Sequence, residues 1–217
     1  MTNETNNMEK IAFADCYKMT ANDIEAFANC LAKGFSGYPL FDYVSGNKYN
    51  EKKMKNFWIA TLKTAQKQAL CYANDADVKS VLIYFPPKCK EPGFIEYIRN
   101  NCLKEIFSVG FFPVYRLVHF NNIAHRISDN YISDKCGYLM AIATLPDKQK
   151  SGHGKKLLNS LISYLHSSDQ DCYLETLKAG NVALYEHFGF KLKETSHLLA
   201  TKLPIFGMVY NSDTAEK

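Results

Sequence analysis

The segment from Gly137 to Lys156 constrains the fold more than any other part of the chain. It begins with a mostly apolar run, Tyr138 to Thr144, passes through a proline turn and reaches Gly152-His153-Gly154. Apolar residues then recur at three- and four-residue spacing, at Leu157, Leu158, Leu161, Ile162 and Leu165. This pattern predicts a buried β-strand, a glycine loop and an amphipathic α-helix in direct succession.

The glycine loop is predicted to bind a phosphate or pyrophosphate. The first amides of a helix have no hydrogen-bond partner inside it, and the positive end of the helix dipole favours an anion. Gly152 and Gly154 lack side chains that would keep an oxygen-rich group away from the backbone. Lys150, Lys155 and Lys156 add positive charge around the same turn.

Two common phosphate-binding motifs do not fit this loop. The P-loop has four residues between its glycines and a Lys-Ser or Lys-Thr after them, whereas this chain has only Gly-x-Gly-Lys. The dinucleotide fingerprint needs a third glycine three residues after the second, and Leu157 occupies that position.

The arrangement Gln-x-x-Gly-x-Gly, from Gln149 to Gly154, resembles the acyl-CoA loop of the GNAT superfamily of N-acetyltransferases. A second block, residues 172–190, is similar to the strand and helix that follow in that family. It contains Asn181, Tyr185 four residues later and a closing Gly-Phe. The resemblance is close over the C-terminal third of the chain and holds in outline for the remainder.

This resemblance implies one acetyltransferase domain over residues 1–217, with an acceptor-side half at 10–135 and an acyl-CoA-binding half at 136–211. The alternation of strands and helices independently favours an α/β (α+β) fold, a mixed, mostly antiparallel central sheet flanked by helices. By family analogy the co-substrate is acetyl-CoA, and the reaction is direct attack of a primary amine on the thioester.

The resemblance also assigns roles to single residues. The amide of Ile142, where the family's strand bulges, would stabilise the oxyanion, while Ala143 and Thr144 would contact the pantetheine arm. Asn181 is predicted to be both a helix N-cap and a pantetheine contact, and Tyr185 to bind the cofactor and protonate the leaving thiolate; packing is the alternative role for Tyr185. The cofactor phosphates would lie against the loop residues Gln149, Lys150, Ser151, Gly152, His153, Gly154 and Lys155. His153 departs from the family, which usually has an apolar residue there.

The general base is less well determined by the sequence. Glu175 is the only acid in the apolar strand after the loop helix, and apolar neighbours raise the pKa of a carboxyl group. Glu175 is therefore a candidate catalytic base. Two alternatives stay open: Glu175 as a structural hydrogen-bond acceptor, and water that relays the proton to solvent.

The acceptor pocket is predicted at the turn-rich aromatic segment Phe35 to Gly46, where Tyr38 and Asp42 are the candidate substrate contacts. The alternative is a loop held on the core by its rings. Two segments are distantly similar to the puromycin N-acetyltransferase type of enzyme. They are Ala26-Phe27-Ala28 to Pro39 and Leu174-Glu175-Thr176. That similarity implies a bulky small molecule with an amino group.

Composition and spacing exclude several other classes. A net charge of +4 spread along the chain gives no nucleic-acid footprint. The patch from Ile106 to Tyr115 is too short and interrupted for a membrane span, and the polar N-terminus has no secretory signal. Seven cysteines without C-x-x-C spacing favour a reducing, cytoplasmic compartment. His119 and His125, six residues apart, do not have metal-ligand spacing, so no metal is expected.

Other functions remain as alternatives to a small-molecule N-acetyltransferase that is a monomer or homodimer. One is a catalytically silent acyl-CoA-binding or regulatory domain, and another is an acetyltransferase for protein N-termini or lysines. The remaining expected strands are Ala12 to Tyr17, Ala69 to Ala73, Val78 to Phe85, Cys172 to Leu177, Phe190 to Ala200 and Leu203 to Tyr210. The expected helices are Thr20 to Gly34, Glu51 to Gln68, Gly93 to Ser108 and Val114 to Asn130.

Overall fold

The computed structural model describes residues 3–46, 48–89, 91–198 and 203–214. Its helices are α1 (Asn3–Ala12), α2 (Ile24–Gly34), α3 (Pro39–Ser45), α4 (Glu51–Ala65), α5 (Phe94–Arg99), α6 (Leu103–Val109), α7 (Phe111–Ser128), α8 (His153–Ser167) and α9 (Ala179–His187). Its strands are β1 (Tyr17–Lys18), β2 (Leu70–Ala73), β3 (Ser80–Phe85), β4 (Cys136–Thr144), β5 (Asp171–Thr176), β6 (Lys191–Leu198) and β7 (Leu203–Tyr210).

The strands form one sheet in the order β1-β2-β3-β4-β5-β7-β6. All neighbouring strands in it are antiparallel except β4 and β5, which run parallel. The predicted mixed, mostly antiparallel sheet flanked by helices is confirmed.

Helices cover both faces of the sheet because side chains alternate along each strand. On β4, Ile142 packs with the leucines of α8, whereas its neighbour Ala143 packs with α2 and α4. Helices α1, α8 and α9 lie on the first of these faces, and α2, α3, α4 and α7 on the other. The periodic leucines of α8 are fully buried, as their spacing predicts.

The two parallel strands separate soon after they begin. They pair only from Cys136 to Tyr138 on β4 and from Asp171 to Tyr173 on β5. Both strands then continue, to Thr144 and Thr176, without pairing with each other. Backbone groups on the facing edges are thus left available to a ligand that enters the gap.

Most predicted elements are confirmed, including the hairpin of β2 and β3, the strand-loop-helix unit of β4 and α8, and the closing pair β6 and β7. Residues 199–200, at the predicted end of the first closing strand, lie outside the described part of the chain, as do 215–217 in the predicted tail. Among the described residues, no helix is long and apolar enough to cross a membrane.

Three predictions about the N-terminal half are wrong. The strand predicted at 12–17 forms only at Tyr17–Lys18, because the polar segment before it is helical and Phe13 stacks on Tyr72 at 4.2 Å between ring centroids. The aromatic segment contains a helix, α3, with Pro39 at its first position, where the missing amide costs nothing. The helix predicted from Gly93 to Ser108 is two helices, which break at Asn101, a residue with φ of 54°.

Candidate active site

A cavity of about 390 Å³ lies beside the gap between β4 and β5. Its wall includes five residues of the predicted site, together with Tyr138. The five are Tyr38, Ile142, Glu175, Asn181 and Tyr185. Most of the remaining wall is apolar and comes mainly from α3, α4, α6, α7 and β4. The structure therefore brings together predicted residues from both halves of the chain.

The glycine loop leads directly into the N-terminus of α8. Gly152 has φ of 82°, a left-handed conformation that other residues adopt only with strain. A Cβ at Gly154 would lie 3.2 Å from Thr144 Oγ1, so helix and strand meet too closely for a larger side chain to fit without displacement. Gln149, Lys150 and Ser151 are exposed next to these glycines. This open backbone at a helix start fits a phosphate group.

The side chains around the loop do not all remain free for a ligand. Lys156 donates hydrogen bonds to the carbonyl oxygens of Asp15 and Asn74, whereas Lys150 and Lys155 are exposed. Asn74 Oδ1 accepts from the amide of Ser80, so Asn74 Nδ2 donates to His153 Nδ1, at 3.2 Å. His153 therefore fixes the start of α8 to the turn between β2 and β3.

The bulge in β4 lies two residues before its predicted place. Ile83 pairs with Ala141 and Tyr84 with Leu139, which leaves Met140 as the extra residue. The predicted position of the bulge was wrong because a bulge depends on the register between two strands, which the sequence of one strand does not report. The role of the Ile142 amide as an oxyanion donor stays a prediction. Met140 and Ile142 both lie in the cavity wall. Ala143 and Thr144 follow on the same strand but are not among the residues that line the cavity.

The end of β5 is held by a hydrogen-bond network that includes Tyr38. The amide of Leu177 donates to the Tyr38 hydroxyl at 2.9 Å, and this hydroxyl shares a hydrogen bond of 3.1 Å with Thr176 Oγ1. Thr176 Oγ1 also accepts from Asn181 Nδ2 at 3.0 Å. Tyr38 thus lines the cavity and also holds the α2–α3 turn in place. Asp42 lies on α3, outside the residues that line the cavity.

Asn181 is not the N-cap of α9, which corrects the prediction. The helix begins at Ala179 with Lys178 in the capping position, so Asn181 already lies in its first turn. The prediction placed the helix start after Gly180, and the helix includes that glycine. The Asn181 side chain instead reaches back to β5.

Glu175 has the environment of a group that exchanges protons near neutral pH. Its carboxylate accepts a 2.6 Å hydrogen bond from the Tyr138 hydroxyl. Burial raises the pKa of Glu175 to about 7, and the bond from Tyr138 opposes this rise because it stabilises the charged form. A carboxyl group with this pKa is suited to accept a proton at neutral pH.

Tyr185 lies on α9 and is only 8% exposed. Its ring packs edge-on against Phe190 at a centroid distance of 5.7 Å. Burial raises the pKa of the Tyr185 hydroxyl above its ordinary value, so the group keeps its proton at neutral pH. Since Tyr185 and Glu175 share one cavity, a proton acceptor and a proton donor face the same space.

Sequence reasoning missed Tyr138 and Glu91, two titratable residues of the cavity wall. Tyr138 belongs to an apolar run, and its bond to Glu175 depends on the pairing of β4 with β5. Glu91 lies in the non-periodic loop before Pro92, and burial raises its pKa to about 8. An acid in a proline-containing loop is too common a pattern to have indicated a site.

Comparison with known proteins agrees with this geometry. Residues 114–192 match the family model described as an acetyltransferase (GNAT) domain. No curated protein matches the chain at a significant level.

Solved structures share the fold over most of the chain. The polyamine N-acetyltransferase of Drosophila melanogaster has a TM-score of 0.62 at 10% identity, over 90% of this chain and 98% of that one. Arylalkylamine N-acetyltransferase 2 of Aedes aegypti has a TM-score of 0.60 at 15% identity, over 91% and 98%. The ribosomal-protein-S18-alanine N-acetyltransferase of Escherichia coli has a TM-score of 0.54 at 15% identity, over 93% and 96%.

Proposed function

We propose that this chain, of which residues 114–192 match the model of a GNAT acetyltransferase domain, transfers an acetyl group from acetyl-CoA to the primary amine of a small molecule by direct attack of the amine on the thioester. The observation that carries this proposal is the cavity beside the separated strands, with Glu175 and Tyr185 in one wall. Residues 10–135 supply most of the acceptor side, and residues 136–211 form the cofactor side.

The residues of the cofactor side fit an acyl-CoA molecule. The loop from Gln149 to Lys155 presents exposed backbone and two free lysines to the phosphates. The unpaired edge of β4 leads from this loop toward the cavity and offers backbone groups to an extended amide-bearing arm. When bound, acetyl-CoA supplies the activated acetyl group, and the chain supplies orientation and proton transfer.

The acceptor amine must lose a proton before it can attack, since an alkylamine is protonated near pH 7. Glu175 is placed to accept this proton in the cavity wall. Its raised pKa leaves about half of the carboxyl groups charged at neutral pH, enough to take a proton and still release it afterwards. The Tyr138 hydroxyl fixes the orientation of the carboxylate.

The departing thiolate needs a proton donor rather than a base. Tyr185 keeps its proton because burial disfavours the phenolate, and it is placed to donate that proton as the thiolate leaves. Asn181 is held near the same wall by its bond to Thr176. The backbone of β4 at Met140 and Ile142 is the proposed source of amide donors for the carbonyl oxygen.

A small amine is favoured over a protein substrate by the shape of the site. The cavity volume of about 390 Å³ falls in the range of small-molecule pockets. The polyamine and arylalkylamine N-acetyltransferases that share the fold are named for small amines. The seven cysteines are unpaired and five are buried, which fits a reducing cytoplasm.

A thiol-release assay tests the proposal. The protein is incubated with acetyl-CoA and a panel of amines that includes arylalkylamines, polyamines, puromycin and a peptide with a free N-terminus. Amine-dependent release of free coenzyme A with a small amine supports the proposal. Release only with the peptide would favour a protein acetyltransferase, and binding of acetyl-CoA without release would favour a silent acyl-CoA-binding domain.

A further inference from the structure

A second cavity of about 570 Å³ adjoins the acceptor cavity. Five residues line both: Glu91, Asn121, His125, Tyr138 and Glu175. These residues form the boundary between the two spaces, and two of them are carboxylic acids. Glu175 comes from the sheet, whereas Glu91 comes from the loop between β3 and α5.

Glu91 has no stabilising partner in the part of the chain that the structure describes. No hydrogen bond or ion pair links it to a described residue, and its electrostatic neighbour is Glu175, a group of the same charge. The hydroxyls of Tyr97 and Tyr138 lie close enough for the Glu91 charge to raise their pKa. Two half-buried acids thus lie at one boundary, to which the described residues contribute no lysine or arginine.

The other charged groups of the two cavities do not neutralise this pair. Lys88 lines only the second cavity, where Asp129 and Asp134 are exposed in the same wall. His125, the basic residue at the boundary, is itself exposed. The excess of acidic groups at the inner end of the acceptor cavity suits a positively charged ligand.

We infer that Glu91 is a second acid of the acceptor site, which together with Glu175 binds the ammonium group of the acceptor amine and receives the proton that this group loses. The inference rests on the proposed function: it assumes an amine acceptor and adds that the acceptor enters the site as the protonated ammonium ion. A cation between the two carboxylates relieves their repulsion, so the pair selects the protonated amine from solution.

The proton balance of this step is simple. One N–H bond of the ammonium group breaks, its electron pair stays on nitrogen, and the proton moves to a carboxylate oxygen of the pair. Burial raises the pKa of Glu175 to about 7, and burial together with repulsion from Glu175 raises that of Glu91 to about 8, so near pH 7 Glu91 is protonated in most molecules and Glu175 in about half. The pair therefore carries net negative charge, which attracts the amine, and an unprotonated carboxylate is available to accept its proton.

Nuclear magnetic resonance titration of the glutamate carboxyl carbons tests the pair without turnover. In the wild type, Glu91 is expected to titrate near pH 8, and Glu175→Gln should lower its pKa because the repulsion is lost. Addition of phenethylamine should lower the pKa of Glu91 as well as that of Glu175. A Glu91 pKa near the ordinary value, or a response to phenethylamine by Glu175 alone, would overturn the inference.

Binding and kinetics give the second arm, with Glu96→Gln as the matched control, since Glu96 lies on α5 outside both cavity walls. Glu91→Gln should weaken phenethylamine binding by roughly tenfold or more, the scale of a lost charge-assisted contact, and leave acetyl-CoA binding close to wild type. Equal weakening by Glu91→Gln and Glu96→Gln would contradict the inference. If the wild type binds the amine as expected but transfers no acetyl group to any amine, the proposed function fails and the inference on amine binding stands.

Discussion

The hydroxyl of Tyr138 donates a 2.6 Å hydrogen bond to the carboxylate of Glu175 where β4 and β5 separate. Tyr138 is the last residue of β4 that pairs with β5, and Glu175 lies two residues beyond its partner Tyr173. The bond therefore crosses the gap at its inner end. It places the proposed base where the backbone hydrogen bonds between the two strands end.

Tyr138→Phe should move the pH dependence of the reaction. The bond from Tyr138 stabilises the charged form of Glu175, so its removal raises the pKa of Glu175 further above about 7. The rise of kcat/KM with pH should shift upward by about one unit, the scale of one charge-assisted hydrogen bond. Initial rates measured between acidic and alkaline pH give the comparison, and an unchanged profile would remove Tyr138 from the mechanism.

Glu175→Gln should abolish most turnover, because an amide cannot accept the proton of an ammonium group. The expected loss in kcat is roughly a hundredfold or more, typical of a general base. The rise of kcat/KM through pH 7 should disappear from the remaining rate, since the group with a pKa of about 7 is gone. A variant with full rate and the wild-type profile would indicate water, or another group, as the base.

Tyr185→Phe keeps the ring that packs on Phe190 and removes only the hydroxyl. The general-acid role predicts that kcat falls by roughly a hundredfold while acetyl-CoA affinity stays close to wild type. Thermal stability separates this role from packing, because a loss of melting temperature together with activity would support a structural tyrosine. Full turnover would exclude the acid role.

The sequence predicts the cofactor side of this fold better than the acceptor side. The apolar run of β4 and the leucine spacing of α8 are local patterns, and both elements form where the patterns place them. The acceptor cavity depends on contacts between distant segments, such as the bond between Tyr38 and Thr176, 138 residues apart. Periodicity carries no information about such contacts.

Local sequence signals were also ambiguous where one residue type is common in two kinds of local structure. Gly37 and Pro39 favour a turn, yet proline is equally suited to the first position of a helix, and α3 begins there. Asn181 is a residue typical of N-caps, yet α9 begins two residues earlier. Glu91 follows no pattern, because its role depends on the burial and repulsion that only the folded chain creates.

Substitution in the glycine loop should remove the stabilisation by acetyl-CoA. Ligand binding to the native state alone raises the melting temperature, so the wild type should show this shift. Gly154→Asp forces a side chain against Thr144, and Gly152→Asp places charge and backbone strain at a residue with φ of 82°. Both variants should lose the shift. Asn159→Asp, an exposed position further along α8, is the matched control and should keep it; equal shifts in all three variants would place the phosphates elsewhere.

Tyr38→Ala should raise the KM for the acceptor more than the KM for acetyl-CoA, because the ring lines the acceptor cavity. Tyr38→Phe separates the contact with the acceptor from the structural role of the hydroxyl. It keeps the ring in the cavity wall and removes the hydrogen bonds to Leu177 and Thr176. The phenylalanine variant should retain a near-normal acceptor KM with lower thermal stability. Equal effects of Tyr38→Ala on both constants would leave Tyr38 with a structural role alone.

Mass spectrometry of the amine, after incubation with the protein and acetyl-CoA, tests directly whether the protein transfers an acetyl group to a small amine. We expect an N-acetylated small amine, formed by the wild type and reduced by roughly a hundredfold in Tyr185→Phe. If acetyl-CoA stabilises the protein and no amine in a broad panel gains an acetyl group, the proposed acetyltransferase function is contradicted.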